Sequence, residues 1–391
     1  GIETLAPGEM LILENGAYTK RRYWDWSFAR EGEYSGGSEE ALAQELRDLL
    51  SDATRIRLRS DVPVGAYLSG GLDSAILAGL IDAIGDIRLR TFSITFPGSD
   101  LDESVYQEQV IQQLSSEHSR IVCTPADIAA QFVRSLWHTE APILRTAPVP
   151  MGILSGLVRE QNYKVVLTGE GADEVFGGYD LFKEVKVREF WARNPNSKFR
   201  PLLLKRLYPY LDLSKDQALG YLQSFFGVGL DQPALPYFAH LPRWVTTAKC
   251  KAFYSAELND HLREDPYAAL AASLPAAIGG WTSFNQSQYI ESKTLMSGYL
   301  LSSQGDRMLM KNSVEGRFPY LDHRVIEFAN RLDPRLKMKV LREKYLLKRA
   351  LRDRVPTSIL ERHKQPYRAP DADSFRDAGS AAYVDGLLAP E

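Results

Sequence analysis

The first half of the chain alternates between short apolar runs and longer stretches in which apolar residues recur every three or four positions. Short apolar runs predict buried strands, and the wider spacing predicts helices that pack by one face. The predicted strands cover 62–68, 89–96, 119–123 and 164–168; the predicted helices cover 38–59, 73–81, 102–116, 126–137 and 149–160. Strands that alternate with helices indicate an α/β fold with a doubly wound, mostly parallel sheet.

The flanking regions have different patterns. Residues 1–28 contain two β-like runs on either side of Asn15-Gly16, which predicts a hairpin. Residues 29–37 are polar and contain glycine, as linkers do. After about residue 180 the strand signals stop, and we expect a helical C-terminal region over 181–391 behind an α/β domain over 38–180. Its helices are predicted at 181–192, 215–227, 264–274, 287–311, 323–331 and 342–352.

The first predicted strand ends in a candidate phosphate site. Ser69-Gly70-Gly71 follows the strand, and Asp73-Ser74 opens an apolar helix. Glycines leave backbone N–H groups uncovered, and a helix N-terminus attracts anions. The loop lacks the Gly-Lys-Ser/Thr end of a Walker loop, and its adjacent glycines exclude Gly-x-Gly-x-x-Gly. Tyr67 stands where a nucleophile elbow needs its first glycine.

A second glycine-rich loop, with an acidic cluster, follows the last predicted strand. It contains Thr168, Gly169, Glu170 and Asp173. Ligands of parallel sheets bind at the carboxyl ends of the strands, so this loop is expected to lie beside the first. Mg²⁺ is bound by one or two carboxylates together with phosphate oxygens. Asp73 and Asp173 are therefore the predicted magnesium ligands.

Composition excludes several classes of protein. Hydrophobic residues make up 44% of the 391 residues, charged residues 25%, and the net charge is -3. These values are ordinary for a globular protein and give no reason to expect binding to nucleic acid or membranes. Two cysteines do not make a disulfide framework and fit a reducing compartment. With no visible signal peptide, we expect a cytoplasmic protein, although its start at Gly1 looks like a cut.

The pattern Ser-Gly-Gly-x-Asp-Ser resembles the pyrophosphate loop of the ATP pyrophosphatase families. Together with four later segments it resembles the synthetase domain of asparagine synthetases, from the hairpin to about residue 370. Two positions depart from that family: Tyr320 replaces a phenylalanine, and Lys348 replaces an arginine. The five ordered segments are 69–74, 167–179, 314–323, 342–348 and 362–367.

The resemblance implies ATP and Mg²⁺ as cofactors and assigns roles to single residues. Lys344 is the expected catalytic cation facing the phosphates, with Lys337 and Lys339 as alternatives. Glu170 is expected on the amino-acid side, where it acts on ammonia or orients the carboxylate. The residues implied to bind ATP or pyrophosphate are Leu68, Ser69, Gly70, Gly71, Asp73, Ser74, Ile94, Thr168, Gly169 and Arg145.

Two further segments receive structural expectations. Glu315, Arg317 and Asp322 are expected to be structural, the first two as a buried Glu/Arg pair that shapes the cleft. The segment 362–367 either helps to close over phosphate or forms a solvated loop.

The resemblance implies that an acyl-adenylate is formed from a carboxylate and ATP and is then attacked by ammonia. Aspartate is the default acceptor. The hairpin resembles the last hairpin of the family's glutaminase domain, whose nucleophilic cysteine is missing here, so that domain is expected to be absent; alternatively, the hairpin simply packs on the main domain. Two other functions stay open: an amide or lactam synthetase for another carboxylate, such as the β-lactam synthetases and lasso-peptide cyclases, and a nucleotide-binding module without turnover. Oligomeric state is open too, with a homodimer as one option.

Overall fold

The computed structural model describes residues 4–85, 89–114, 116–208, 216–262, 264–365, 367–376, 382–386 and 389. Residues 1–3, 115, 215 and Pro366, on which predictions fell, lie outside these ranges. The strands are β1 (Glu9–Glu14), β2 (Ala17–Arg22), β3 (Val64–Tyr67), β4 (Arg90–Thr95), β5 (Glu117–Val122), β6 (Val165–Leu167) and β7 (Glu315–Arg317).

Helices occupy most of the rest of the described chain. The first seven are α1 (Glu39–Arg57), α2 (Leu72–Ile84), α3 (Ser104–Gln113), α4 (Pro125–Thr139), α5 (Pro148–Glu160), α6 (Ala172–Phe176) and α7 (Asp180–Ala192). They are followed by α8 (Asp216–Phe226), α9 (Leu241–Thr247), α10 (Ala256–His261), α11 (Pro266–Ser273), α12 (Ser283–Glu291), α13 (Arg307–Met310), α14 (His323–Asn330), α15 (Pro334–Lys337), α16 (Tyr345–Ala350) and α17 (Thr357–Glu361). A π-helical segment, Ser292–Asp306, joins α12 to α13.

The central sheet is parallel throughout, with the strand order β5-β4-β3-β6-β7. This confirms the predicted α/β fold with a doubly wound sheet. Strands β3 and β6 are neighbours, with Val64 opposite Val165 and Ala66 opposite Leu167. The loops after these two strands, which carry the candidate site, therefore leave the same edge of the sheet side by side.

The prediction that strands stop after residue 180 is wrong. Strand β7 pairs with β6, with Glu315 opposite Val165. It has three residues, Glu-Gly-Arg, and none of them is apolar, so neither alternation nor an apolar run could mark it. The helix predicted over 287–311 is divided by the π-helical segment, and only Tyr345–Ala350 of the predicted 342–352 is α-helical.

The largest hydrophobic core joins both halves of the chain. Helix α1 contributes Leu46 and Leu50, α12 contributes Ile290, and α16 contributes Leu346 and Leu347 to the same cluster. A second cluster lies within the C-terminal half, around α7 and α8. The C-terminal helices thus pack directly against the α/β layers, and the division at residue 180 stays a prediction.

The N-terminal hairpin turns at Asn15-Gly16, as predicted, with φ values of 50° and 79°. Both strands are largely exposed, but Trp26 and Phe28 behind them are buried in the main core. The predicted linker is hydrogen-bonded to the body, for example from the Ser35 N–H to the Arg331 carbonyl at 2.8 Å. Among the described residues, no helix combines the length and the apolar character needed to cross a bilayer.

Candidate active site at the carboxyl ends of two strands

The loop after β3 is shaped for an anion. Gly70 has a φ of +80°, in the left-handed region that favours glycine. The Ser74 hydroxyl accepts the Ser69 N–H at 3.1 Å, and the Ser69 hydroxyl accepts the Gly71 N–H at 3.2 Å. Among the described residues, no side chain caps the N-terminus of α2. Its first N–H groups remain available to an anionic ligand, as the sequence predicted.

The loop after β6 lies directly against the first. A Cβ atom on Gly169 would lie 3.1 Å from the Cβ atom of Asp73, so these backbones approach closely. A Cβ atom on Gly178 would collide with the Asp173 carboxylate and with the side chain of Lys344. Gly178 is needed because charged groups of the site occupy the space that a side chain would fill, and Gly169 lets the two loops approach closely.

Two carboxylates and two lysines meet where these loops touch. The Lys344 ammonium lies 2.6 Å from both oxygens of Asp73 and 2.6 Å from Oδ1 of Asp173. The Lys364 ammonium lies 2.6 Å from Oδ2 of Asp173 and 3.9 Å from Asp73. We call these four residues the charge cluster. The structure thus brings together the two predicted metal ligands and the predicted catalytic lysine.

The ionisation of the charge cluster follows from its geometry. Burial favours the neutral form of Asp173, but the charges of Lys344 and Lys364 outweigh burial and lower its pKa to about 2. For Lys364, burial opposes the charge, but Asp173 and Asp73 more than compensate and raise its pKa. All of these charges are therefore compensated within the cluster.

The residues present fit Mg²⁺ only in company with a nucleotide. Among the described residues, no group of three or more His, Cys, Asp or Glu side chains is placed to bind a metal. Two converging carboxylates are what a magnesium site supplies when phosphate oxygens complete it. Asp73 and Asp173 could hold the ion once an incoming phosphate had drawn the lysines away.

Glu170 and Glu174 stand beside the charge cluster in less compensated surroundings. Burial, together with the nearby carboxylates of Asp173 and Asp73, raises the pKa of Glu170 to about 7, although Lys364 opposes the shift. Burial and Asp173 raise the pKa of Glu174 to about 8. The Glu174 carboxyl accepts the Tyr179 hydroxyl at 2.8 Å. Sequence reasoning missed Glu174, whose only signal was its position beside Asp173.

The alternative lysines lie outside the cluster. Lys337 is fully buried and donates to Asn285 and Gln288, at 3.2 and 2.7 Å. Lys339 is half-exposed and is paired with Glu39 at 3.0 Å. Among the described contacts, neither ammonium group is paired with Asp73 or Asp173. Lys344 does contact both aspartates. Its segment was predicted to be helical, but Lys344 itself precedes α16 and has a φ of +52°.

Several predicted nucleotide contacts already have partners within the protein. The Leu68 N–H donates to the Phe92 carbonyl at 2.9 Å, and the Leu68 carbonyl accepts the Ser93 hydroxyl. The Ile94 carbonyl accepts the Gln107 amide at 3.1 Å. The Thr168 N–H donates to the Arg317 carbonyl at 3.0 Å. Adenosine binding by these backbone groups stays a prediction.

Arg145 is not brought into the charge cluster. It is exposed on the loop between α4 and α5, and its charge acts on the nearby Tyr299 phenol. A contact between Arg145 and phosphate therefore also stays a prediction.

The segment around β7 supports the site structurally. The Arg317 guanidinium donates to the carbonyls of Arg57 and Arg59 at 2.7 and 2.8 Å and pairs with Glu315 at 2.7 Å. The expectation of a buried Glu/Arg pair is only partly right, because the Glu315 side chain is 58% exposed. Asp322 caps α14 and pairs with Arg57 at 2.8 Å.

Tyr320 is a supporting residue that sequence reasoning passed over. Its hydroxyl donates to the Asp73 carbonyl at 3.0 Å, and its ring is fully buried. A phenylalanine at this position, as in the family pattern, could not make that hydrogen bond. The departure from the pattern therefore adds a tie to the phosphate loop.

The comparisons with known proteins identify the family. The family model described as "Asparagine synthase" matches residues 45–391. The chain belongs to the asparagine synthase family. This confirms the resemblance that the five segments indicated.

The relatives include proteins described as asparagine synthetases and two described as amidases. "Amidase chyE" of Penicillium rubens is 29% identical over 95% of this chain and 59% of its own length. "Asparagine synthetase [glutamine-hydrolyzing] 1" of Bacillus subtilis is 27% identical over 94% and 56%. "Putative asparagine synthetase [glutamine-hydrolyzing]" of Mycobacterium tuberculosis is 30% identical over 85% and 49%. The chain thus spans about half to three-fifths of the length of these relatives.

Among solved structures, the match to an NMN synthetase from Francisella tularensis covers 71% of this chain and 97% of the synthetase chain. Its TM-score is 0.27 at 16% identity.

Proposed function

We propose that this protein is an ATP- and Mg²⁺-dependent ligase that forms a carbon–nitrogen bond on an activated carboxylate. The observation that carries the proposal is the charge cluster. It lies where the loops after β3 and β6 touch, beside the uncapped N-terminus of α2. Membership of the asparagine synthase family supports the same reaction class.

In the proposed reaction an oxygen of the acceptor carboxylate attacks the α-phosphorus of ATP. The bond between the α-phosphorus and the bridging oxygen breaks, and pyrophosphate leaves with the electron pair. The N–H groups at the start of α2 orient the phosphates, and the ammonium groups of Lys344 and Lys364 stabilise the charge that develops on them. Asp73 and Asp173 would hold Mg²⁺, which would neutralise part of the pyrophosphate charge.

The second half of the proposed reaction forms the amide. A nitrogen nucleophile attacks the acyl carbon, AMP leaves, and the nitrogen loses a proton. Glu170 is the proposed base, because its pKa of about 7 leaves a substantial fraction ionised at neutral pH. The proposed contacts of the nucleotide are Leu68, Ile94, Thr168 and Gly169, with Arg145 reserved for a phosphate or carboxylate.

Aspartate and ammonia, giving asparagine, are the first candidate substrates, with glutamine as the nitrogen source of the intact protein. A different carboxylate is the second candidate. It is favoured by two fungal relatives described as amidases, which are 29% and 26% identical to this chain. A nucleotide-binding module without turnover is a third candidate. We further propose that the protein is cytoplasmic and forms a homodimer.

The test is pyrophosphate release with ATP, Mg²⁺ and ammonium while the carboxylic acid is varied. We expect one acid to stimulate release and Asp73→Asn to abolish it. Asp48→Asn, on an exposed turn of α1, is the matched control and should leave release unchanged. Release stimulated by aspartate supports the first candidate, and release with another acid supports the second. A wild-type protein that binds ATP but releases no pyrophosphate with any acid would leave only the nucleotide-binding module.

A further inference from the structure

A segment near the C-terminus crosses the open edge of the sheet over the charge cluster. We call residues 362–365 and 367–371 the crossing segment. At its near end, Arg362 donates to the Gly70 carbonyl at 3.3 Å and pairs with Glu103 at 2.6 Å. The Arg362 guanidinium also stacks 3.8 Å above the Tyr106 ring. Lys364 then reaches down to Asp173.

The far end of the crossing segment is fastened to the turn before α5. The Thr146 N–H donates to the Asp371 carboxylate at 2.9 Å. The Thr146 hydroxyl lies 2.8 Å from the same carboxylate oxygen and 2.9 Å from the Pro370 carbonyl. A hydroxyl has one proton, so it donates to one of these acceptors at a time. Thr146 is 4% exposed whereas Asp371 lies at the surface, so these bonds are partly shielded from water.

Contacts of single side chains, and not secondary structure, fix the course of the crossing segment. Its described residues form neither helix nor strand. Its near end follows α17, with Ile359 buried in the core, and its far end is held by the contacts of Asp371 with Thr146. Before that far end, Ala369 is buried in a small hydrophobic cluster. Between these ends the Tyr367 hydroxyl donates to the Ala147 carbonyl, but only at 3.4 Å.

We propose that Thr146 and Asp371 are positioning residues of the synthetase site: by clamping the far end of the crossing segment, they hold Lys364 and Arg362 at the phosphate loop. The catalytic consequence rests on the proposed function. The clamp itself can be observed without turnover.

The space beneath the crossing segment shows what the clamp controls. The cavity lined by Ser69, Asp73, Lys344, Arg362 and Lys364 has a volume of about 90 Å³. Pockets that enclose small ligands usually measure about 300–1,000 Å³. A nucleoside triphosphate therefore needs the crossing segment to lift before it can enter. The clamp has opposite effects on two steps: it slows entry of the nucleotide and places Lys364 for the chemistry.

The test compares Thr146→Val with Thr124→Val. Thr124 makes the same kind of contact, to Asp127 at the start of α4, without touching the crossing segment. In the nucleotide-free protein we expect Thr146→Val to speed trypsin cleavage after Lys364 and Arg368 about tenfold, the size expected for losing a hydrogen bond to a carboxylate. Cleavage sites are identified by mass spectrometry. The Thr124→Val control corrects for a general loss of stability.

Kinetics supply an independent readout. For Thr146→Val we expect faster association of ATP, measured by rapid mixing, and a lower kcat for pyrophosphate release. Asp371→Asn keeps an acceptor oxygen for Thr146, so we expect changes in the same direction but smaller; it also serves if Thr146→Val does not fold. Cleavage and kcat equal to those of Thr124→Val would overturn the proposal. If the wild type released no pyrophosphate, the proposed function would fail, while cleavage and ATP association would still decide whether the clamp exists.

Discussion

Three carboxyl groups within five residues of chain have very different affinities for protons. The pKa of Asp173 falls to about 2, whereas those of Glu170 and Glu174 rise to about 7 and about 8. Burial raises all three, and direct contact with two ammonium groups reverses its effect only at Asp173. The same short loop thus supplies a permanent anion and two groups that titrate near neutral pH.

The raised pKa of Glu174 predicts how the free energy of unfolding depends on pH. Its pKa is higher in the folded than in the unfolded chain, so the folded protein binds more protons between about pH 4.5 and pH 8. Stability contributed by the neutral carboxyl is present at low pH and is lost as pH rises through that window. Glu174→Gln should remove this loss, which is at most about 5 kcal/mol, since one pKa unit corresponds to about 1.4 kcal/mol.

The measurement is urea unfolding at pH 5 and pH 8. We expect the free energy of unfolding of Glu174→Gln to fall less between these values than that of the wild type. Glu45→Gln, at an exposed position of α1, should follow the wild type. Equal pH dependence in all three proteins would contradict a neutral, buried Glu174.

Among the elements, those set by local sequence could be predicted and those set by distant contacts could not. β3 and β6 are short apolar runs, β4 alternates polar with apolar residues, β5 ends in Ile121-Val122, and a glycine turn precedes α2. The sheet and the phosphate loop therefore followed from pattern. Strand β7 has no such run and exists because β6 offers it an unpaired edge. The left-handed conformation of Lys344 and the tie from Tyr320 to Asp73 depend on partners far away in sequence.

The turn after α6 contains Gly178, which packs against the charge cluster and can be tested by substitution. Gly178 has no unusual φ, so Gly178→Ala does not strain its own backbone; the added methyl instead occupies the space of Asp173 and Lys344. We expect pyrophosphate release to fall at least about 100-fold, because misplacing a catalytic group by about 1 Å can cost that much.

The matched control for this change is Gly220→Ala, at an exposed position of α8 where an added Cβ meets open space. It should keep full activity and gain roughly 0.5–1 kcal/mol in stability, as alanine does over glycine within a helix. Full activity in Gly178→Ala would show that the charge cluster tolerates displacement and is not the reacting centre.

At the scale of the whole molecule, the charge cluster joins four distant parts of the chain. Asp73 and Asp173 follow two strands of the sheet, Lys344 precedes a C-terminal helix, and Lys364 comes from the crossing segment. Folding of both halves is needed to bring two negative and two positive side chains into contact. We expect the balance of these charges to control the binding of Mg²⁺ and nucleotide.

The charge cluster predicts that Mg²⁺ binds only together with a nucleotide. Free Mg²⁺ would have to displace both ammonium groups from Asp73 and Asp173 without offering them a new partner. ATP offers the lysines its phosphates, so metal and nucleotide should bind together. In titration calorimetry we expect no heat from millimolar Mg²⁺ alone and clear binding once a non-hydrolysable ATP analogue is present. Lys364→Met removes one competing charge and should allow weak binding of Mg²⁺ alone, whereas Lys339→Met, at a half-exposed lysine outside the cluster, should not. Tight binding of Mg²⁺ to the wild type in the absence of nucleotide would show that the lysines do not guard the two carboxylates.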